Sequence, residues 1–343
     1  TTDYVEVTSN NIIDVLRKTL PEHWKNRREI CFLWDYYKGK QSILKRKKEV
    51  RPEICSKIVE NRANEIVSFK SGYLMGEPIQ YVSRGNTENI TEPINQLNEY
   101  VFAEEKPAKD KELADWFHIC GTSFRMVLPD HMAKEADEAP FEIYTLDPRN
   151  TFVVYNNGLG NKPVLGVKYV VDENNVIHYS CYSPTEYWEI INYKIVEHKT
   201  HILGDIPIIE YPLNLARVGA FELVVPLLDA INLTDSNRLD GVEQFIQALM
   251  LFHNVDISSD DFNQLREEGA IKFKDIDPQL KAEVSYLINN LNQGETQTLV
   301  DHMYQTVLTI CGMPNRNGGS STSDTGSAVI MRDGWSAAEA RAK

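Results

Sequence analysis

The run Phe221-Glu222-Leu223-Val224-Val225-Pro226-Leu227-Leu228-Asp229-Ala230-Ile231, continuing to residue 252, decides the architecture. Its apolar positions Val224, Val225, Leu228, Ile231, Val242, Phe245 and Leu249 return at three- and four-residue steps, the repeat of one helix face. Pro226 is tolerated because it falls near the first turn, where its missing N–H has no intrahelical role. About 27 residues after that proline, at about 1.5 Å each, give a rod of about 40 Å. The run carries five acids, Glu222, Asp229, Asp235, Asp240 and Glu243, against Arg238 alone. A solvated helix face is the commoner meaning of such charges.

Toward the C-terminus, residues 253–294 form a compact insert with a strand signal at Gly269-Ala270-Ile271-Lys272-Phe273 and a break at Pro278. A second helix is expected over about 295–311. After Gly312-Met313-Pro314 comes Asn315-Arg316-Asn317-Gly318-Gly319-Ser320-Ser321-Thr322-Ser323-Asp324-Thr325, polar and rich in Gly and Ser, with Arg316 its one base. Such a loop changes conformation at low cost, although an ordinary disordered connection has the same composition. A helix begins near Gly326, with a kink or unwound turn expected at Gly334. Residues 335–343 are good helix formers with no terminator, so the natural protein is expected to continue beyond Lys343.

Toward the N-terminus the pattern is helical, with one piece around Ile12, Ile13, Leu16 and Leu20 ending at Pro21, and another from Trp24 to Tyr37. A basic run follows, Lys38, Lys40, Lys45, Arg46, Lys47, Lys48 and Arg51 against Glu49, which suits a solvated loop. A third helix is expected over about 54–75, ended by Gly76 and Pro78. From 79 to 211, apart from a helix over about 108–120, short β-branched and aromatic segments alternate with turns such as Asn156-Asn157-Gly158. This is an antiparallel β-rich region, and the fold class is α+β.

The 343 residues carry 36 Lys plus Arg and 50 Asp plus Glu, a formal charge of −14. That argues against tight phosphate binding, which depends on basic residues. No apolar run approaches the ~20 residues needed to span a bilayer. Five scattered cysteines fit reduced thiols better than a disulfide framework. The sequence lacks GxxxxGK[ST], HExxH, GxSxG and a GxGxxG after a strand. His198 and His201 have a spacing that permits shared metal ligation only on a helix, and their context is strand and turn. Asp256, Ser258, Asp260 and Glu267 match part of a calcium loop, but Asp261 stands where glycine is required. No catalytic residue, metal site or cofactor is therefore assigned. The basic run, Lys45, Arg46, Lys47 and Lys48 above all, is a candidate basic surface, and Trp34, Tyr36 and Tyr37 beside it suit either base stacking or core anchoring.

Three ordered runs are recognisable: Tyr36-Tyr37-x-Gly39-x-Gln41-x-Ile43-Leu44, then Lys57-Ile58-Val59-x-Asn61-x-Ala63-Asn64-x-Ile66-Val67, then Gly72-Tyr73-Leu74-x-Gly76-x-Pro78-Ile79. With Ile208-Ile209-Glu210-Tyr211-Pro212-Leu213-Asn214, Pro226-Leu227-Leu228-Asp229-Ala230 and Gly326-Ser327-Ala328-Val329 in the same order, the chain resembles the portal proteins of tailed bacteriophages. The likeness is to the siphophage and prophage branch common in Gram-positive bacteria.

The resemblance implies a twelve-copy ring at one capsid vertex, through which double-stranded DNA is packaged and ejected with weak contacts. It implies a wing over 1–215, a first stem helix over 216–252, a clip over 253–294, a second stem helix over 295–312, a tunnel loop over 313–325 and the start of a post-loop wing helix over 326–343. The resemblance also implies a crown after that helix, which is expected to be missing from this sequence. Terminase, scaffolding or major capsid protein and a head-completion adaptor are the implied partners, with the virion and, during assembly, the host cytoplasm as locations and no membrane. ATP hydrolysis would belong to the separate terminase. If Glu222, Asp229, Asp235, Asp240 and Glu243 line the bore, the ring multiplies their field and keeps phosphates from binding tightly. An acidic β-rich enzyme with dispersed catalytic groups is the alternative, and a prophage- or plasmid-borne relative with a changed partner is a third.

Overall fold

The computed structural model describes residues 1–82, 88–130, 132, 138–246, 249–256, 274–275, 283–287 and 293–314. The chain folds as two compact units. The first comprises Thr1–Gln41, Glu60–Leu228 and Gln305–Lys343, and the second Ser42–Val59 and Asp229–Tyr304.

The first unit is organised by α1 (Ile12–Tyr37), which lies on a five-stranded antiparallel sheet. The sheet runs in sequence order through β3 (Thr151–Tyr155), β4 (Pro163–Val171), β5 (Ile177–Tyr182), β6 (Glu186–Ile191) and β7 (Lys194–Thr200). Alternation in β5 and β6 turns Tyr179, Cys181, Trp188 and Ile190 to one face, where Ile12, Val15, Leu16 and Leu20 of α1 cover them. The indole N–H of Trp188 donates to the Ser9 hydroxyl at 2.9 Å, so its polar atom is satisfied inside the core.

A second sheet places β1 (Thr122–Pro129) between β2 (Phe141–Leu146) and β8 (Ile208–Pro212), with Phe124, Met126, Leu146, Ile206 and Ile208 as its core. Helix α4 (Lys106–Cys120) leads into β1 through Gly121, which stands at φ +79° and ends the helix in the left-handed conformation. A Cβ there would lie 2.0 Å from the Arg217 carbonyl oxygen, so glycine is required by space as well as by φ.

Several elements differ from the sequence expectations. Pro21 does not end a helix; α1 runs 26 residues through it, because buried positions on both sides, from Ile12 to Tyr36, share one stripe. The third helix starts at Arg62 rather than near 54: α2 (Arg62–Leu74) is capped by Asn61, whose side chain accepts the Asn64 N–H. Helix α3 (Glu88–Ala103) lies within the stretch read as β-rich.

The long run gives a short 3-10 turn over Glu222–Val224 and then α5 (Val225–Ile246), 22 residues or about 33 Å rather than 40 Å. Most of α5 belongs to the second unit. Residues 249–252, expected to end the helix, are strand instead: β9 (Leu249–His253) pairs with β12 (Glu283–Leu287). Within the expected insert, β10 (Val255–Asp256) pairs with β11 (Lys274–Asp275). The strand signal at 269–273 lies outside the described residues. Helix α6 spans Gln293–Ile310.

Gly121→Ala tests the junction of α4 and β1. The backbone conformation alone costs about 1–3 kcal/mol for a non-glycine residue, and the overlap with Arg217 adds to it. Urea denaturation of the variant is expected to show a loss above that range, while alanine at Gly160, which has the same sign of φ but open space, loses less.

Candidate functional site

The second unit brings together two groups that are nearly 200 residues apart in sequence. Asp240 on α5 is 3% exposed. One carboxylate oxygen accepts the backbone N–H of Ser56 at 2.7 Å. The other meets an Arg46 guanidinium nitrogen at 3.0 Å and Lys48 Nζ at 3.1 Å. Ser236, one turn earlier on the same helix face, accepts the N–H of Ile58 at 3.0 Å. Arg46 also donates to the Ser56 carbonyl at 3.0 Å and to the side-chain oxygen of Asn237.

The stretch 54–59 is therefore not helical for a definable reason. Its backbone donors at Ser56 and Ile58 are taken by side chains of α5 rather than by carbonyls of its own chain. The strap Ser42–Val59 is fastened along α5 through one buried carboxylate and one buried hydroxyl.

Burial works to raise the pKa of Asp240, but the hydrogen bonds from Ser56 and Lys48 and the Arg46 charge outweigh it, so the carboxyl stays below its ordinary range. The group is ionised and fully engaged, which suits it to fixing structure and not to proton transfer.

The expected basic surface divides. Arg46 and Lys48 face inward to Asp240, while Lys45 and Lys47 are exposed. The acidic row divides as well. Asp240 offers no carboxylate to solvent, and Glu222 accepts the Gly219 N–H at 2.9 Å. Asp229, Asp235 and Glu243 are half-buried, with Asp235 3.3 Å from Arg238. Arg238 reaches α6, donating to Gln293 at 3.0 Å and to Gln297 at 2.8 Å. Helix α6 has no Lys or Arg, so the one permanent cation on the two helices is held by side chains around it.

The remaining sequence candidates are placed separately. Tyr36 is 1% exposed against Phe221, and Trp34 stacks on Trp116 at 4.5 Å with Arg149 over both rings, so these two aromatics anchor the core. His198 stacks on Trp188, and His201 bonds the Ser183 carbonyl at 3.0 Å. Of the calcium-loop residues only Asp256 is described, in β10. The loop from Asn315 to Thr325, with the helix after Gly326, lies outside the described residues.

Asp240→Asn leaves two cations over a neutral amide, and breaking a buried pair in this way costs about 3–5 kcal/mol. Because the folded-state pKa is depressed, the carboxylate stabilises above its ordinary value of 3.8 and that contribution is lost as pH falls through the folded value. Urea denaturation is expected to show a large gap between the parent and the variant at pH 7 that narrows below pH 3.8.

No curated protein matches the chain. The phage portal protein family, SPP1 Gp6-like, matches residues 16–343. That span takes in both units, with the strap, α5 and α6. The chain therefore belongs to the phage portal proteins of the SPP1 Gp6-like family, structural and non-enzymatic subunits of an oligomeric ring at the capsid vertex.

Proposed function

We propose that this subunit builds a twelve-copy ring whose bore conducts double-stranded DNA into the capsid during packaging and out during ejection. The family match carries the reading. In this assignment α5 and α6 are the stem helices, the chain between them is the clip that receives terminase and later the head-completion adaptor, and residues 313–325 form the tunnel loop. Scaffolding or major capsid protein would hold the wing over 1–215, and assembly would take place in the host cytoplasm.

The chemistry of the helix pair supports a conduit. Moving DNA must not be held, and the bond to avoid is a charge-assisted contact between a cation and a phosphate. Arg238 is occupied by Asp235, Gln293 and Gln297, and α6 contributes Glu295 and Asp301 without a Lys or Arg. Repeated around a ring, Asp229, Asp235 and Glu243 would present a negative wall. Asp240 has a different task, since its carboxylate holds the strap.

Negative-stain microscopy of the purified chain is expected to show rings with an axial hole; a uniform monomer population contradicts the assignment. Deleting 315–325 should leave rings intact while DNA retention or translocation falls. Changing Asp229, Asp235 and Glu243 to Lys should slow packaging and make its rate more sensitive to salt. Unchanged rate and salt dependence would place these acids away from the bore.

A further inference from the structure

The face of the five-stranded sheet turned away from α1 carries a histidine held on both sides. In β5 the alternation that buries Tyr179 and Cys181 against α1 sends His178 and Ser180 the other way. His178 Nδ1 lies 3.2 Å from a Glu189 carboxylate oxygen on β6, and Nε2 lies 3.4 Å from Asp172 Oδ2, just after β4. All three side chains are half-buried.

Asp172 has a second task. Its Oδ1 accepts the backbone N–H of Asn174 at 2.9 Å and of Val176 at 2.7 Å, closing the turn between β4 and β5 in which Asn175 takes φ +59°. One oxygen of this carboxylate fastens the turn, the other meets the imidazole, and the imidazole carries the link across to β6.

This geometry selects a protonation state. An ionised carboxylate only accepts hydrogen bonds, so both ring nitrogens face acceptors, and only the imidazolium has an N–H on each. The neutral ring can donate to one carboxylate and must turn a lone pair toward the other. The hydrogen bond to Glu189 does most to raise the His178 pKa above its ordinary value of 6.5; burial opposes it, and the bond to Asp172 adds to it.

The charges around the histidine are mixed. Lys168 of β4 stands opposite Ser180, and on β7 Glu197 stands opposite Glu189, Lys194 opposite Ile191 and Lys199 opposite Tyr187. Glu173 is exposed in the turn. Like charges directly opposed across two strands repel, as Glu189 and Glu197 do. Lys199 takes Glu197 at 2.6 Å, and His178 is the ion-pair partner of Glu189 among the described residues.

We propose that His178 is a proton-operated clasp: with its proton it ties the β4–β5 turn to β6, and without it the turn is released from β6. The sign follows from the raised value in the folded chain. The stabilisation is fully present below pH 6.5 and is lost as pH rises through the higher folded-state value. The hairpin is therefore tightest in mildly acidic solution and loosens toward alkaline pH.

Hydrogen exchange of the full chain tests this, read by mass spectrometry over residues 172–178 as protection relative to an unstructured peptide at the same pH. Protection is expected to fall at least about threefold between about pH 6 and about pH 9, the scale of a half-exposed ion pair. Strand β1 in the other sheet should keep its protection. His178→Gln, uncharged at every pH, should show the lower protection of 172–178 at both. A parent chain with equal protection of 172–178 at the two pH values overturns the clasp, and so does a His178→Gln variant in which protection falls as it does in the parent. Neither result bears on the portal reading.

Discussion

A charge removed from water must be met by other charges and hydrogen bonds, and that constraint organises the second unit. Asp240 is satisfied by a backbone N–H and two cations, all supplied by the strap Ser42–Val59. The strap in turn has no regular structure to satisfy its backbone around Ser56 and Ile58, so each side completes the other. The five-stranded sheet under α1 solves the same problem with apolar contacts, and the indole of its buried Trp188 is satisfied by a single polar link, to Ser9.

The same constraint separates the acids of α5 by role. A shared sign in sequence suggests a shared task, but Asp240 is consumed internally while Asp229, Asp235 and Glu243 retain partial access to water. The overall charge of −14 therefore describes weak affinity for phosphate better than it describes distance from nucleic acid. In the conduit proposed above, a ring that passes DNA would work by declining to hold it. The basic run, the one feature that favoured phosphate binding, spends Arg46 and Lys48 on an internal carboxylate.

Periodicity exposed the elements whose hydrophobic pattern is local. Helices α5 and α6 and most strands of the β-rich region were legible because side-chain repeats of 3.6 and 2 survive in the sequence itself. Pro21 misled because a local rule about proline was outweighed by burial on both sides of it. The stretch 54–59 misled for the opposite reason: its apolar residues suit a helix, and acceptors on a distant helix drew it out straight. At the C-terminal end of α5, pairing of Leu249–His253 with Glu283–Leu287 displaced the helix that the apolar positions favoured.

What the sequence by itself determined was the class of protein, the order of its helical and β-rich parts, the lack of the common catalytic signatures and, through ordered motifs, its family. Tertiary structure alone decided which charges face water. The pairing of Arg46 and Lys48 with Asp240, and of Arg125 with Asp110, depends on separations in space that no spacing in the chain encodes. Whether a carboxylate is a surface charge or an internal fastening is set by the groups that folding brings within about 3 Å of it, because only those can replace the water it gives up.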